Sequence, residues 1–144
     1  MEGRHICQSV YNCRVVRRSK PFDLAGLFAA LADPTRLRLL NLMGGREVCV
    51  CSFVEMLKQS QPKISRHLAY LRNAGIVSAR REGKWIHYSI RWPEDVAAKS
   101  ILDAVLKNLV TDPKMQADLS RLARASCEPQ RLVALQGAPV PKVL

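Results

Sequence analysis

The run from Ser60 to Gly75 constrains the fold more than any other stretch of the chain. Ser60-Gln61-Pro62 supplies a helix N-cap and then a proline at a position where its missing N–H costs nothing. Ile64, Leu68 and Leu71 follow at spacings of four and three, which gives one inward apolar face. Gln61, Lys63, Ser65, Arg66, His67, Tyr70 and Arg72 fill the other faces, a dense set of groups able to bond phosphates or base edges. Asn73-Ala74-Gly75 ends the helix, because glycine takes the left-handed conformation freely.

The flanking segments turn this helix into a motif. Upstream, Val50, Phe53, Val54 and Leu57 fall at i, i+3, i+4 and i+7, a second amphipathic helix joined to the first by Lys58-Gln59-Ser60. Two short helices so joined make a helix-turn-helix, whose second helix enters the DNA major groove. Downstream, Ile76 to Arg81 and Lys84 to Ile90 read as two strands around Glu82-Gly83, with Ile86, Tyr88 and Ile90 on one face. That hairpin is a wing. From Gln61 to Lys84 six basic residues (Lys63, Arg66, Arg72, Arg80, Arg81, Lys84) stand against one acidic residue, Glu82. Such a balance suits a polyanion. Ser65, Arg66 and His67 are assigned to the groove and Lys63, Arg81 and Lys84 chiefly to phosphates, with Gln61 and Tyr70 in the same DNA-facing set.

The expected fold class is therefore mainly α with a small β-hairpin wing, a winged helix-turn-helix made dimeric through its terminal helices. The formal net charge of +11 over 144 residues fits a nucleic-acid partner. No apolar run is long enough to span a membrane, since the longest, Leu24 to Ala32, is short and contains a glycine. Residues 1–20 carry arginines without the apolar core of a signal peptide, so the expected location is cytoplasmic. Five cysteines in that compartment are thiols free for metal or redox chemistry, and their odd count argues against a disulfide scaffold.

The chain divides accordingly. Residues 1–20 read as a flexible basic arm holding Cys7 and Cys13, residues 21–112 as the DNA-binding and dimerisation domain, 113–126 as an added helix and 127–144 as a mobile tail. Within the domain, a helix from Phe22 to Leu31 aligns Leu24, Leu27, Phe28 and Leu31. Asp33-Pro34 caps the next, with Leu37, Leu40 and Met43 inward before Gly44-Gly45 stops it. A long helix introduced by Trp92-Pro93-Glu94-Asp95 runs to Val110. Its wide stripe of Ala98, Ile101, Leu102, Val105, Leu106 and Leu109 makes it the dimerisation candidate.

Cys49-Val50-Cys51 is the most specific chemical signal. On a regular helix residues two apart point about 200° away from each other, so two thiolates at that spacing share an ion only by distorting the first turn. Ligand binding that strains this helix would disturb the reader it supports. A helix N-terminus also favours thiolate, the form that binds metal. The plain structural alternative is that both cysteines fill the core beside Val50.

At this point the residues carry a family resemblance. Leu31-Ala32-Asp33-Pro34-Thr35-Arg36, Glu47-Val48-Cys49-Val50-Cys51, Ser60-Gln61-Pro62-Lys63-Ile64-Ser65-Arg66-His67-Leu68 and Glu82-Gly83-Lys84-Trp85-Ile86-His87-Tyr88 occur in the order of the ArsR/SmtB winged-helix metal-responsive repressors. Over residues 22 to 91 the chain resembles that family, most closely its arsenic-responsive branch. The resemblance implies a homodimer on a double-stranded operator, an inverted repeat, released when trivalent arsenic or antimony, As(III) or Sb(III), binds Cys49 and Cys51. In that branch a third cysteine follows three residues on, where this chain has Val54.

Trivalent arsenic prefers three soft donors. Cys7 or Cys13 could supply the third from the arm of the partner, as N-terminal cysteines do in the related cadmium- and lead-responsive branch. Cys127 and a small external thiol are the alternatives. Four thiolates from Cys7, Cys13, Cys49 and Cys51 would equally suit Cd(II) or Pb(II). The histidine site of zinc-responsive members is missing, since residues 94–110 contain no histidine. His87 reads as a strand-face residue and His5 has no partner. No nucleophile, base and orienting group can be assembled into an enzyme site. A thiol redox sensor on the same scaffold is the nearest rival, although Cys49 and Cys51 would close a strained ring.

Overall fold

The computed structural model describes residues 21–127 and 142–144. The expected arm with Cys7, Cys13 and His5 lies outside them. Helix α1 (Leu24–Leu31) starts two residues later than the apolar pattern suggests, because the Asp23 carboxylate accepts the Gly26 N–H at 2.9 Å and fixes the cap there. It buries Leu27 and Ala30 and leaves Leu24 and Phe28 exposed. Helix α2 (Pro34–Met43) is capped in the same way by Asp33, which accepts the Arg36 N–H at 2.9 Å, with Pro34 in the first turn. Leu39, Leu40, Leu42 and Met43 are all fully buried, whereas Leu37 is only half-buried. One apolar stripe does not describe α2, because α1, α4, α5, α6 and the sheet pack around it.

A strand that the sequence reading lacked follows: β1 (Arg46–Cys49). Helix α3 (Val50–Leu57) leads, through Lys58 in the left-handed conformation at φ 53°, into the reading helix α4 (Gln61–Asn73). Ile64, Leu68 and Leu71 of α4 are fully buried, as their spacing requires. Gly75, at φ 78°, lets the chain turn back on the helix: its N–H reaches Arg72 O at 3.0 Å and the Ile76 N–H reaches Leu71 O at 3.3 Å. These two bonds close a Schellman end and send the chain straight into the wing.

The wing is β2 (Val77–Glu82) paired antiparallel to β3 (Trp85–Ile90), from Val77↔Ile90 to Glu82↔Trp85, with Gly83 at φ 59° in the turn. Strand β1 joins β3 with Val48 opposite Tyr88 and Cys49 opposite His87. Helix α5 (Val96–Leu109) begins one residue after Asp95, whose carboxylate accepts the Ala98 N–H at 2.9 Å.

The added helix over 113–126 becomes α6 (Pro113–Cys127), and it is docked by polar groups. Arg38 grips Asp118 through Nε at 2.6 Å and Nη2 at 2.9 Å, while Arg121 Nη2 donates to Asp118 Oδ1 at 2.5 Å and to Met56 O at 2.9 Å. Asn41 Nδ2 donates to Met115 O at 2.9 Å. Asp118 is 1% exposed. Burial raises its pKa, but the two guanidinium groups outweigh that and hold it below the ordinary aspartate range. The tail expected to be mobile needs a correction at its end: β4 (Lys142–Val143) pairs with the outer edge of β1, Arg46 opposite Val143 and Glu47 opposite Lys142. The Leu144 N–H adds a bond to Gly45 O at 2.9 Å. The sheet order is β2-β3-β1-β4. Among the described residues no helix is long and apolar enough to cross a membrane.

Candidate nucleic-acid interface and thiol pair

The inward face of α4 fixes what its other faces present. Gln61, Lys63, Arg66 and Arg72 are exposed and Ser65 is half-buried. Neither Lys63 nor Arg66 forms an ion pair among the described residues, so both charges stand open to solvent. On the wing, Arg81 is exposed with Nε donating to Gly83 O at 3.0 Å, and Lys84 Nζ lies 4.9 Å from the centre of the Trp85 ring. These contacts shape the turn and leave both cations outward.

Two residues expected to face DNA are held from behind. His67 Nδ1 lies 3.5 Å from Asp33 Oδ1, so this side chain leans toward the α2 cap. Tyr70 stays 45% exposed, but its ring lies under the Arg36 guanidinium, 4.3 Å from its carbon. Arg36 also donates from Nε to Ala30 O at 2.6 Å and from Nη2 to Ala29 O at 2.8 Å. The sequence marked Asp33 only as a cap and gave Arg36 no role, because the contacts join three helices whose approach no local pattern reveals.

The basic count of the wing also needs revision. Arg80 bridges to Glu47 Oε1 and Oε2 at 2.8 and 2.9 Å and to Glu82 Oε2 at 2.8 Å. Its pKa is raised by these bonds, and the Arg80 guanidinium in turn lowers those of Glu47 and Glu82. That charge is matched internally. His87, expected on a strand face, is 3% exposed beside this cluster, with Nε2 3.6 Å from Glu82 Oε2.

The cysteine pair departs from the helical argument in a useful way. Cys49 is not in the helix: it ends β1 and serves as the N-cap of α3, at φ −70° and ψ 146°. Cys51 lies in the first turn of α3. The extended backbone at Cys49 removes the 200° separation, and the Cys51 thiol donates to Cys49 Sγ. Both are free thiols, Cys49 buried and Cys51 half-buried.

The shared hydrogen bond dominates their ionisation. It lowers the Cys49 pKa to about 7 and raises that of Cys51, against burial that disfavours either thiolate. No side-chain bond closes the N-cap by hydrogen-bond geometry, yet the N–H groups of Cys51 and Ser52 and the backbone of Ile86 lie near enough to favour negative charge on Cys49. Val54, where the resembled branch has its third cysteine, packs half-buried against the core. Among the described residues no three histidine, cysteine or acidic side chains are grouped to hold a metal ion. The Cys127 backbone ends α6.

Comparison with known proteins agrees with this architecture. Residues 33–79 match the family described as bacterial regulatory protein, arsR family. The chain is 43% identical over 102 residues to the arsenical resistance operon repressor of Escherichia coli (strain K12), covering 70% of this chain and 86% of that one. It is 40% identical over 76 residues to a cadmium resistance transcriptional regulatory protein, a CadC homolog, of Staphylococcus aureus, covering 51% and 61%. Among solved structures, reduced HlyU from Vibrio cholerae N16961 superposes with a TM-score of 0.52 at 28% identity, over 61% of this chain and 88% of that one. With the winged helix-turn-helix in place and a near-complete relative matched, the chain belongs to the arsR family of bacterial regulatory proteins, DNA-binding transcriptional repressors.

Proposed function

We propose that this chain is a homodimeric repressor of an inverted-repeat operator, released when As(III) or Sb(III) binds the thiols of Cys49 and Cys51. The observation that carries this reading is that the two free thiols lie side by side at the junction of β1 and α3. Thiolates are the donors a soft trivalent ion selects, and the pair supplies two of its three. The third comes from outside the grouped residues, and the arm cysteines Cys7 and Cys13 are the preferred source, ahead of Cys127 or an external thiol. Cd(II) or Pb(II) on the four thiolates of Cys7, Cys13, Cys49 and Cys51 is the second reading.

The junction suits a switch. Cys49 belongs to a strand paired with the wing, and Cys51 to a helix packed on the reader. A change in the spacing of the two sulfurs therefore reaches both DNA-facing elements through backbone. Ala98, Leu102 and Leu109 of the expected α5 stripe are buried within the subunit, so the dimer reading moves to apolar side chains left in solvent on α1 and around α5: Leu24, Phe28, Trp92, Val96 and Val110. Ser65 and Arg66 read bases, and Lys63, Arg81 and Lys84 hold phosphates.

Fluorescence anisotropy of operator DNA tests the proposal, with the reduced protein titrated with arsenite, antimonite, cadmium, lead and zinc. Wild type should release on arsenite, while Cys49→Ser and Cys51→Ser bind DNA and stay bound. The Cys7→Ser/Cys13→Ser variant should lose release if the arm gives the third thiol. Release by an oxidant and by no ion would replace the metalloid reading with the redox one.

A further inference from the structure

Arg36 sits where a helix least favours it. It occupies the first turn of α2, whose exposed N–H groups already carry positive partial charge. The guanidinium reaches across to the C-terminal end of α1, where the carbonyls of Ala30 and Ala29 have no helical partners and accept its Nε–H and Nη2–H at 2.6 and 2.8 Å. Its flat face covers the Tyr70 ring at 4.3 Å, and the Asp33 carboxylate lies 3.8 Å from Nη1. The same carboxylate is 3.5 Å from His67 Nδ1. Residues 67 and 70 lie one turn apart on one side of α4. Three helix segments meet at one side chain, and the reading helix is gripped at two points.

From this we infer that Arg36 is a positioning residue for operator recognition: it fixes the rotation of α4 about its own axis by clasping Tyr70 against the end of α1, without touching DNA. Three features make arginine necessary. The fork reaches two carbonyls at once, the plane stacks on an aromatic ring, and the charge suits the negative end of α1. Lysine keeps only the last.

The test measures affinity for operator and for random DNA across a salt series, with thermal unfolding recorded beside it so that binding is read below each variant's transition. The variants are Arg36→Lys, Tyr70→Leu and the double Arg36→Lys/Tyr70→Leu. Arg36→Lys should lose about tenfold in operator affinity, in the range of couplings between contacting residues. Its affinity for random DNA and its salt slope should match wild type. Tyr70→Leu should lose operator affinity, and the double variant should be no weaker than the weaker single. A salt slope lowered by about one in Arg36→Lys would mean a direct phosphate contact and overturn the proposal. So would full additivity in the double variant, or an unchanged operator-to-random ratio, which would mark Arg36 as structural only.

Discussion

The junction of α2 with α6 and the face formed by α4 and the wing are both rich in cations, and they use them in opposite ways. At the junction Arg38 and Arg121 converge on Asp118, a carboxylate with 1% exposure. On the face of α4 and the wing Lys63 and Arg66 stand open to solvent. A cation that has been desolvated and paired contributes to holding the fold, and its removal strands its partner. A cation left in water adds little to stability and remains available to a phosphate. Charge count alone therefore overstates a DNA-binding surface, as the internally matched Arg80 demonstrates.

The largest effect should come from opening the closed cluster. Asp118→Ala strips the part-buried Arg38 of its carboxylate and should cost about 1.5–3 kcal/mol of unfolding free energy in urea titration, the range for hydrogen bonds to charged groups. The pH dependence follows from the depressed Asp118 pKa. Its contribution is fully present above the ordinary aspartate value of about 3.9 and is lost as pH falls through the lower folded value. Acid unfolding of Asp118→Ala should accordingly show a flatter limb below about pH 4. Wild-type stability in that variant would erase the distinction between the two regions.

On the open face, Arg66→Ala should lose about ten- to a hundredfold in operator affinity while random-DNA binding changes little, read by competition at fixed salt. Equal losses on both DNAs would move Arg66 from bases to phosphates. Lys84→Ala should weaken all DNA binding and reduce the slope of log K against log salt by about 0.9, one phosphate's worth of counterion. The smallest effect belongs to Arg80→Ala. Because Glu47 and Glu82 already neutralise it, the salt slope should stay at the wild-type value, and a drop like that of Lys84→Ala would place Arg80 among the phosphate contacts.

The parts legible in the sequence were those decided within a few residues. Ile64, Leu68 and Leu71 gave the buried face of α4, the Asp33-Pro34 cap gave the start of α2, and Gly75 gave the end of the reader. Strand β1 was hidden because its four residues complete too few alternations to stand out, and its partners Tyr88 and His87 lie far along the chain. That omission misplaced Cys49 on a helix and led to an argument for a distorted turn. The Cys49–Cys51 spacing singled out two sulfurs that lie side by side in the structure, while the extended backbone that brings them together needed a tertiary contact to define it. Arg36 and Asp118 escaped for the same reason, since each acquires its partners only when helices distant in sequence pack.

The short link through Gly75 has a consequence for association with DNA. With Ile76 N–H bonded back to Leu71 O, and β2 starting at the next residue, the helix and the wing cannot reorient separately. The surface that meets the duplex is aligned in advance. The entropy of that alignment is lost once, during folding, and is not lost again at each encounter, so a preformed helix-and-wing surface can turn more of its contact energy into affinity.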